Sequence, residues 1–466
     1  MKTNTPRFFA LCILLHACLF HSQAQVPQLW SLIWHGGTYG NGSIFKLNGD
    51  GTGSSTLFSI HDTLGSQPYG QFTLVNKHLL FGTAQDGGAN GKGVIFKYDL
   101  ATQQYSKVYD FNGIDGGFPQ GNLFLADNGK LFGTTSQGGT KNVGTLFRID
   151  TLGNNFTKIY DFDSLIGGYP GGSMVRADDN NLYFVTNRGI IYNLDPSTEI
   201  VKRIFDLSHG GVNTLGFDDN GLISGIDGKL YGASFNGGLH GYGKIFSFDI
   251  TSDTITSLYD FDGVNGKWSS ASLVQATDGK LYGVTTMGGI HDKGVLFSYD
   301  PFHPAFLKLL DFGSSKGDNP INALMQASDG KLYGSSSSVM FSFDILNNTY
   351  APIYNCTMNI NPSTFVEVER LPSSEPSSIP GLSIDLQFQI SPNPTTNSVN
   401  ITIDKTLIGY TLTITDITGR KMTSIKLPTA LASGETLLPI DYPNGIYFVT
   451  LSDGQQTATQ KLIIQK

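Results

Sequence analysis

Glutamate is nearly missing from this chain. Of 38 acidic residues only Glu199, Glu367, Glu369, Glu375 and Glu435 are Glu, and the rest are Asp. Charge is sparse too, at 15% of residues, where soluble proteins average about 25%. Glu is a good helix former, whereas Asp, Asn, Ser and Gly favour caps and turns. With 57 Gly, 31 Phe and 20 Tyr in 466 residues, the composition excludes a mainly helical protein and predicts short strands joined by tight turns. Cysteine is scarce. Cys12 and Cys18 fall in an N-terminal segment expected to be removed, which leaves Cys356 alone. An intramolecular disulfide is then excluded, and stability must come from packing. The apolar run Phe8 to Phe20 is too short for a stable bilayer anchor, so no transmembrane anchor is expected. Lys2 and Arg7 precede that run and Ser22-Gln23-Ala24 follow it, so residues 1–24 read as a secretory signal peptide cut after Ala24. Leu15-His16-Ala17-Cys18 loosely resembles a lipobox, but His16 fits poorly and the apolar run continues past the cysteine. Cleavage moves the net charge from −8 to −10. An acidic chain without a basic cluster is a poor match for nucleic acid or anionic membrane, and no nucleic-acid partner is expected.

What the chain does have is a repeat. Leu followed by an aromatic occurs at Leu29-Trp30, Leu80-Phe81, Leu131-Phe132, Leu182-Tyr183, Leu230-Tyr231, Leu281-Tyr282 and Leu332-Tyr333, at spacings of 51, 51, 51, 48, 51 and 51. Ile44-Phe45, Ile95-Phe96 and their counterparts follow each pair, and runs such as Val108-Tyr109-Asp110-Phe111 end each unit. In the sixth unit, Asp278-Gly279 reads as a two-residue hairpin turn before Leu281-Tyr282-Gly283, and Gly288-Gly289 as a loop before Gly294-Val295-Leu296-Phe297. Four antiparallel strands per roughly 50 residues is the grammar of a propeller blade. The first unit lacks its leading strand, and Phe365-Val366-Glu367-Val368-Glu369 alternates without another partner. We therefore expect the tail to complete the first blade, since a paired edge is preferred to an open one. An open six-blade array is less economical. The fourth unit departs from the pattern, with Phe184 where others carry Gly and Gly189 in place of Gly-Gly.

The units resemble the Gloeo/Verruco ("GloVer") tandem repeat of bacterial secreted proteins. The resemblance implies a fold and an exterior location but no chemistry. The Pro/Ser-rich stretch 370–386 reads as a linker. In 387–466, alternating runs such as Tyr410-Thr411-Leu412-Thr413-Ile414-Thr415 predict a small β-sandwich. This segment carries Ser391-Pro392-Asn393-Pro394, Asp416-Ile417-Thr418-Gly419-Arg420, Gly445-Ile446-Tyr447 and Lys461-Leu462-Ile463-Ile464. In that order they resemble the C-terminal sorting domain of type IX secretion substrates in Bacteroidetes. The resemblance implies the type IX machinery as a partner, a secreted or outer-membrane surface location, and frequent removal of the domain after export. The expected class is therefore all-β: a seven-bladed β-propeller over 25–369, then an Ig-like β-sandwich sorting domain, the whole a monomer.

Chemistry is harder to find. Glycoside hydrolysis normally needs two carboxylates, yet Glu199, in a turn, is the only Glu among the units proper. Asp127, Asp178, Asp227, Asp278 and Asp329 recur at hairpin turns, and Asp110, Asp161, Asp206, Asp260 and Asp311 recur at unit ends. Such recurrence marks turn and cap bonding, whereas catalysis needs one odd residue in one unit. The Asp260–Asn265 and Asp110–Asp115 segments have oxygens at Ca²⁺-like spacing but lack the closing Glu. His240 and His291 have no metal-ligand partner at hand. No catalytic residue, metal or cofactor is expected. Variation among units is more informative. The residue before Gly-Gly, or before the lone glycine of the fourth unit, changes through His35, Asp86, Gln137, Arg188, Asn236 and Met287, while Phe118, Tyr169 and Trp268 stand just before the innermost strand. Strand order puts both sets on one face around the channel mouth, where they are candidates for binding a glycan or a surface protein. The alternative is a polysaccharide lyase or hydrolase using His35, Asp86 and Arg188.

Overall fold

The computed structural model describes residues 26–164, 167–207, 221–356 and 362–369, and in the C-terminal part 388–391, 395, 398–403, 411–416, 420–426, 434–439, 442–452 and 457–464. The expected signal peptide and the linker 370–386 lie outside the described residues. The chain divides into two compact units, 1–373 and 374–466.

In the first unit, the sixth repeat shows how sequence becomes structure. Strands Val274–Gln275, Leu281–Thr285, Val295–Asp300 and Ala305–Asp311 pair antiparallel in that order. The second strand is buried throughout, whereas the fourth alternates toward solvent. Burial on both faces explains why Leu281-Tyr282-Gly283-Val284 is apolar without alternation. Gly283 lies opposite Phe297, and a Cβ there would sit 2.6 Å from the Phe297 ring. The glycine therefore makes room for the ring. Gly82, Gly133, Gly232 and Gly334 stand in the same relation to Phe96, Phe147, Phe246 and Phe341. Where the fourth repeat has Phe184 instead, it faces Tyr192 and stacks on it with centroids 5.7 Å apart.

Seven such four-stranded sheets, one per repeat, are present among the described residues. The fold is all-β and propeller-like. The expected two-residue turn at Asp278-Gly279 needs correction. Ala276 N–H donates to Lys280 O, and Gly279 N–H donates to Ala276 O with Gly279 at φ 82°. The loop thus has three residues and ends on a left-handed glycine. Asp278 accepts from the Tyr282 hydroxyl at 2.8 Å, as Asp227 does from Tyr231 and Asp329 from Tyr333. In the fourth sheet this bond falls to Asp179 rather than Asp178. Asp127 instead binds Arg176 at 2.6 Å.

That last contact belongs to a set that fastens neighbouring sheets. Gln275 accepts from Ile226 N–H of the preceding sheet, and Gln326 accepts from Thr277 N–H. Stacked rings join outer strands, as in Tyr259–Phe306, and Tyr109 stacks in the same way on Phe156, just before the outer strand of the third sheet. Glu199, the odd residue of the repeats, spans the third and fourth sheets through Lys130 at 2.8 Å and Arg148 at 2.6 Å.

The tail closes the first sheet. Val366, Glu367 and Val368 pair with Trp30, Leu29 and Gln28. Glu367 accepts from Ser328 N–H at 2.7 Å, so it holds the seventh sheet as Gln326 holds the sixth. Gln71 of the second repeat donates to Phe365 O at 2.9 Å.

The C-terminal unit has two antiparallel sheets. Phe388–Ser391, Ser398–Ile403 and Gly434–Pro439 form one; Lys421–Lys426, Thr411–Asp416, Gly445–Ser452 and Thr457–Ile464 form the other. Leu412, Ile414, Tyr447, Val449, Leu462 and Ile464 are buried.

Val368 is 3% exposed, so Val368→Asp buries an unpaired charge in the closing sheet. It should cost about 2–5 kcal/mol in denaturant unfolding, while Glu369→Gln at the exposed end stays near wild type. Equal midpoints for the two variants would contradict closure by this strand.

Candidate functional site

Among the described residues, five innermost strands are approached by a segment with unusual backbone. Gln67, Phe118, Tyr169, Trp268 and Asn319 hold φ between 51° and 62°. They are equivalent residues, each five positions before the buried apolar residue that immediately precedes its strand. The cause lies in the backbone bonds. Phe118 N–H donates to Lys92 O of the preceding sheet, and Phe118 O accepts from Ser136 N–H of its own sheet. Tyr169 does the same with Val143 and Asn187, and Trp268 with Tyr242 and Thr286. This staple forces a left-handed conformation that disfavours any Cβ. Glycine would adopt it at little cost, yet none of the five is glycine.

Their side chains gather polar and cationic neighbours. Lys92 Nζ lies 5.1 Å from the Phe118 ring centroid, and the Arg188 guanidinium 5.8 Å from that of Tyr169. Trp268 has Lys267 Nζ at 4.9 Å and stacks with Phe235 at 5.8 Å. Gln67 accepts from Trp34 Nε1 at 3.1 Å, and Trp34 meets Tyr69 edge-on. Of these, the sequence reading missed Trp34, Gln67, Tyr69, Lys92, Phe235 and Lys267. Trp34 and Phe235 stand two residues before Gly-Gly, one before the variable position it had singled out.

That variable position is adjacent to the aromatics in several sheets. Bridges join Gly117 to Gln137, Lys267 to Met287 and Ser66 to Asp86. The Arg188 guanidinium meets the Tyr169 ring, and the Gly117–Gln137 bridge sets Gln137 beside the residue preceding Phe118. His35 stacks on Trp34 at 4.5 Å. Asn236 is half-buried and its carbonyl accepts from the Ser234 hydroxyl. Burial raises the Asp86 carboxyl above its usual range, Asp62 adds to this and Lys92 opposes it. His35, Asp86 and Arg188 rise from the first, second and fourth sheets, and their contacts stay local; Arg188 donates to Ser164 O at 2.8 Å.

The carboxylates at the unit ends have structural partners. Asp110, Asp161, Asp260 and Asp311 each accept from the N–H just after Gly-Gly, at 2.7 to 2.9 Å. Asp262 accepts from Asn265 within its own turn. Among the described residues, no three His, Cys, Asp or Glu side chains converge.

Between these segments runs a cavity of about 730 Å³. It is lined from all seven sheets, by Tyr69, Gln71, Gln120, Asn122, Ser272 and Asn322 among others, and no charged side chain is among its described lining residues.

In the sorting segment, Arg420 N–H and Nε both bind Asp416, at 3.0 and 3.2 Å. The Tyr447 hydroxyl donates to Pro443 O. Gly445 and Lys461 lie on paired strands. Pro392, Asn393, Pro394 and Gly419 fall outside the described residues.

Known structures share the fold. The periplasmic gluconolactonase PpgL of Pseudomonas aeruginosa is 16% identical, with a TM-score of 0.53 over 73% of this chain and 99% of that one. A candidate 6-phosphogluconolactonase of Bacteroides uniformis is 13% identical, with a TM-score of 0.50 over 74% and 100%. At such identities the likeness is one of fold alone. No curated protein matches the chain. Residues 389–465 match the secretion system C-terminal sorting domain, the type IX signal, which points to a secreted or cell-surface protein. Residues 20–193 and 186–364 match the Gloeobacter/Verrucomicrobia repeat, and the chain belongs to that family.

Proposed function

We propose that the chain is a seven-bladed propeller exported by the type IX route, cleaved after Ala24, which binds a glycan or a protein without acting on it chemically. The binding face is the one bearing Phe118, Tyr169 and Trp268, with His35, Asp86, Gln137, Arg188 and Asn236 around them. One observation carries this reading: large and varied side chains occupy five equivalent left-handed positions. A left-handed non-glycine costs on the order of 1–3 kcal/mol, and a turn alone would be met by glycine. Strain that persists at a rim, under changing side chains, is typical of positions kept for what they present outward. Aromatic faces flanked by Lys92, Arg188 and Lys267 suit the C–H faces of sugars or the side chains of a peptide.

Most of the repeated carboxylates support the non-enzymatic part, because Asp110, Asp161, Asp260 and Asp311 are engaged in loop bonds and Asp227, Asp278 and Asp329 in turn bonds. The sorting domain is the means of delivery rather than of binding.

Replacing Tyr169 and Trp268 together by Ala should weaken retention on the cognate surface at least about tenfold, a loss of about 1.4 kcal/mol. The thermal midpoint should stay near wild type, since the left-handed strain is not increased. Unchanged retention in a pull-down on intact cells and isolated polysaccharide would reject this face.

Deleting 387–466 should leave the protein in the periplasm, read by fractionation and immunoblot. Normal surface delivery of the truncated chain would overturn the sorting assignment.

A further inference from the structure

The cavity along the propeller axis differs in character from the rim above it. Its described lining combines amides, hydroxyls and apolar side chains such as Met174, Leu222 and Ile321, with no charge. Charged neighbours belong instead to the rim, where Lys92, Arg188 and Lys267 lie against aromatic rings.

The polar lining falls into two groups. One is committed to the ring. Asn122 bonds Gln71 across neighbouring sheets, Ser272 accepts from Gly221 N–H at 2.7 Å, and Asn322 donates to Pro362 O. The other group is free for a ligand. The side chains of Gln120 and Ser173 line the cavity and form no hydrogen bond among the described residues. An amide and a hydroxyl each offer both a donor and an acceptor.

We infer that this axial cavity takes the end of a neutral, hydroxyl-rich chain, an uncharged oligosaccharide, whose next residues cross the aromatic rim. The inference rests on the reading of that rim as the binding face, and it names the ligand class. Sugar hydroxyls also donate and accept, so amides and hydroxyls match them without a formal charge on either side. Apolar lining residues then cover the C–H faces. A carboxylate or sulfate entering the same space would lose water with no counter-charge to replace it. The cavity volume of about 730 Å³ lies in the range of small-ligand sites, about 300–1,000 Å³.

The test uses the full chain and isothermal titration with cellohexaose, laminarihexaose, xylohexaose, mannohexaose and hexagalacturonate. At least one neutral hexasaccharide should bind, and hexagalacturonate should not. Gln120→Glu, nearly isosteric, should weaken that binding about tenfold or more with an unchanged thermal midpoint. Should Gln120→Glu unfold, Ser173→Ala is the second variant and should also weaken binding. Loss on Trp268→Ala, with no effect of either cavity variant, would uphold the rim and overturn the axial site. Preference for hexagalacturonate, or binding of no neutral member, would overturn the inference as well.

Discussion

Three residue pairs between Val366–Val368 and Gln28–Trp30 decide whether this array has ends. Every other sheet of the repeat array takes its four strands from one stretch of chain. Only the first borrows its innermost strand from beyond the seventh. Without it, the first sheet would expose an unpaired edge, and Glu367 could not reach Ser328. The axial cavity depends on the same closure, since its lining includes Thr364, just before the closing strand.

Around that closure, one set of contacts repeats and another does not. Glycine under phenylalanine, aspartate under tyrosine and an inner-strand side chain on the previous turn recur from sheet to sheet. They fix geometry and leave little room for change. The left-handed residues share a backbone requirement but not a side chain. Structure therefore constrains their φ and leaves their chemistry open, which is where a repeat protein can vary its ligand without disturbing its core.

Much of the fold was legible because period, turn residues and pairing are local in sequence. Leu281-Tyr282-Gly283 announces a buried strand, and the lone alternation at 365–369 announces a closing one. The three-residue loop at 277–279 was misread because Asp-Gly also signals a two-residue turn; the bulge depends on pairing between Ala276 and Lys280. The site was only partly legible. Trp268 and Tyr169 stand out by position, but Trp34 and Phe235 acquire meaning only when Gln67, Tyr69 and Trp268 come beside them in space. Glu199 looked like a turn residue, and its two cationic partners, Lys130 and Arg148, lie about one repeat away in sequence. The axial lining was invisible to composition, because Gln, Asn and Ser gather there from all around the ring.

The central claim is that one face, at the mouth of the axial cavity, is where the protein meets its ligand. Hydrogen–deuterium exchange of the full chain, alone and with a saturating pool of neutral hexasaccharides, tests it most directly. The account predicts slowed exchange in peptides covering 116–122, 167–174 and 266–273, with the hairpin turns at 276–280 and 327–331 unchanged. Protection confined to those turns, or no protection anywhere, would contradict it.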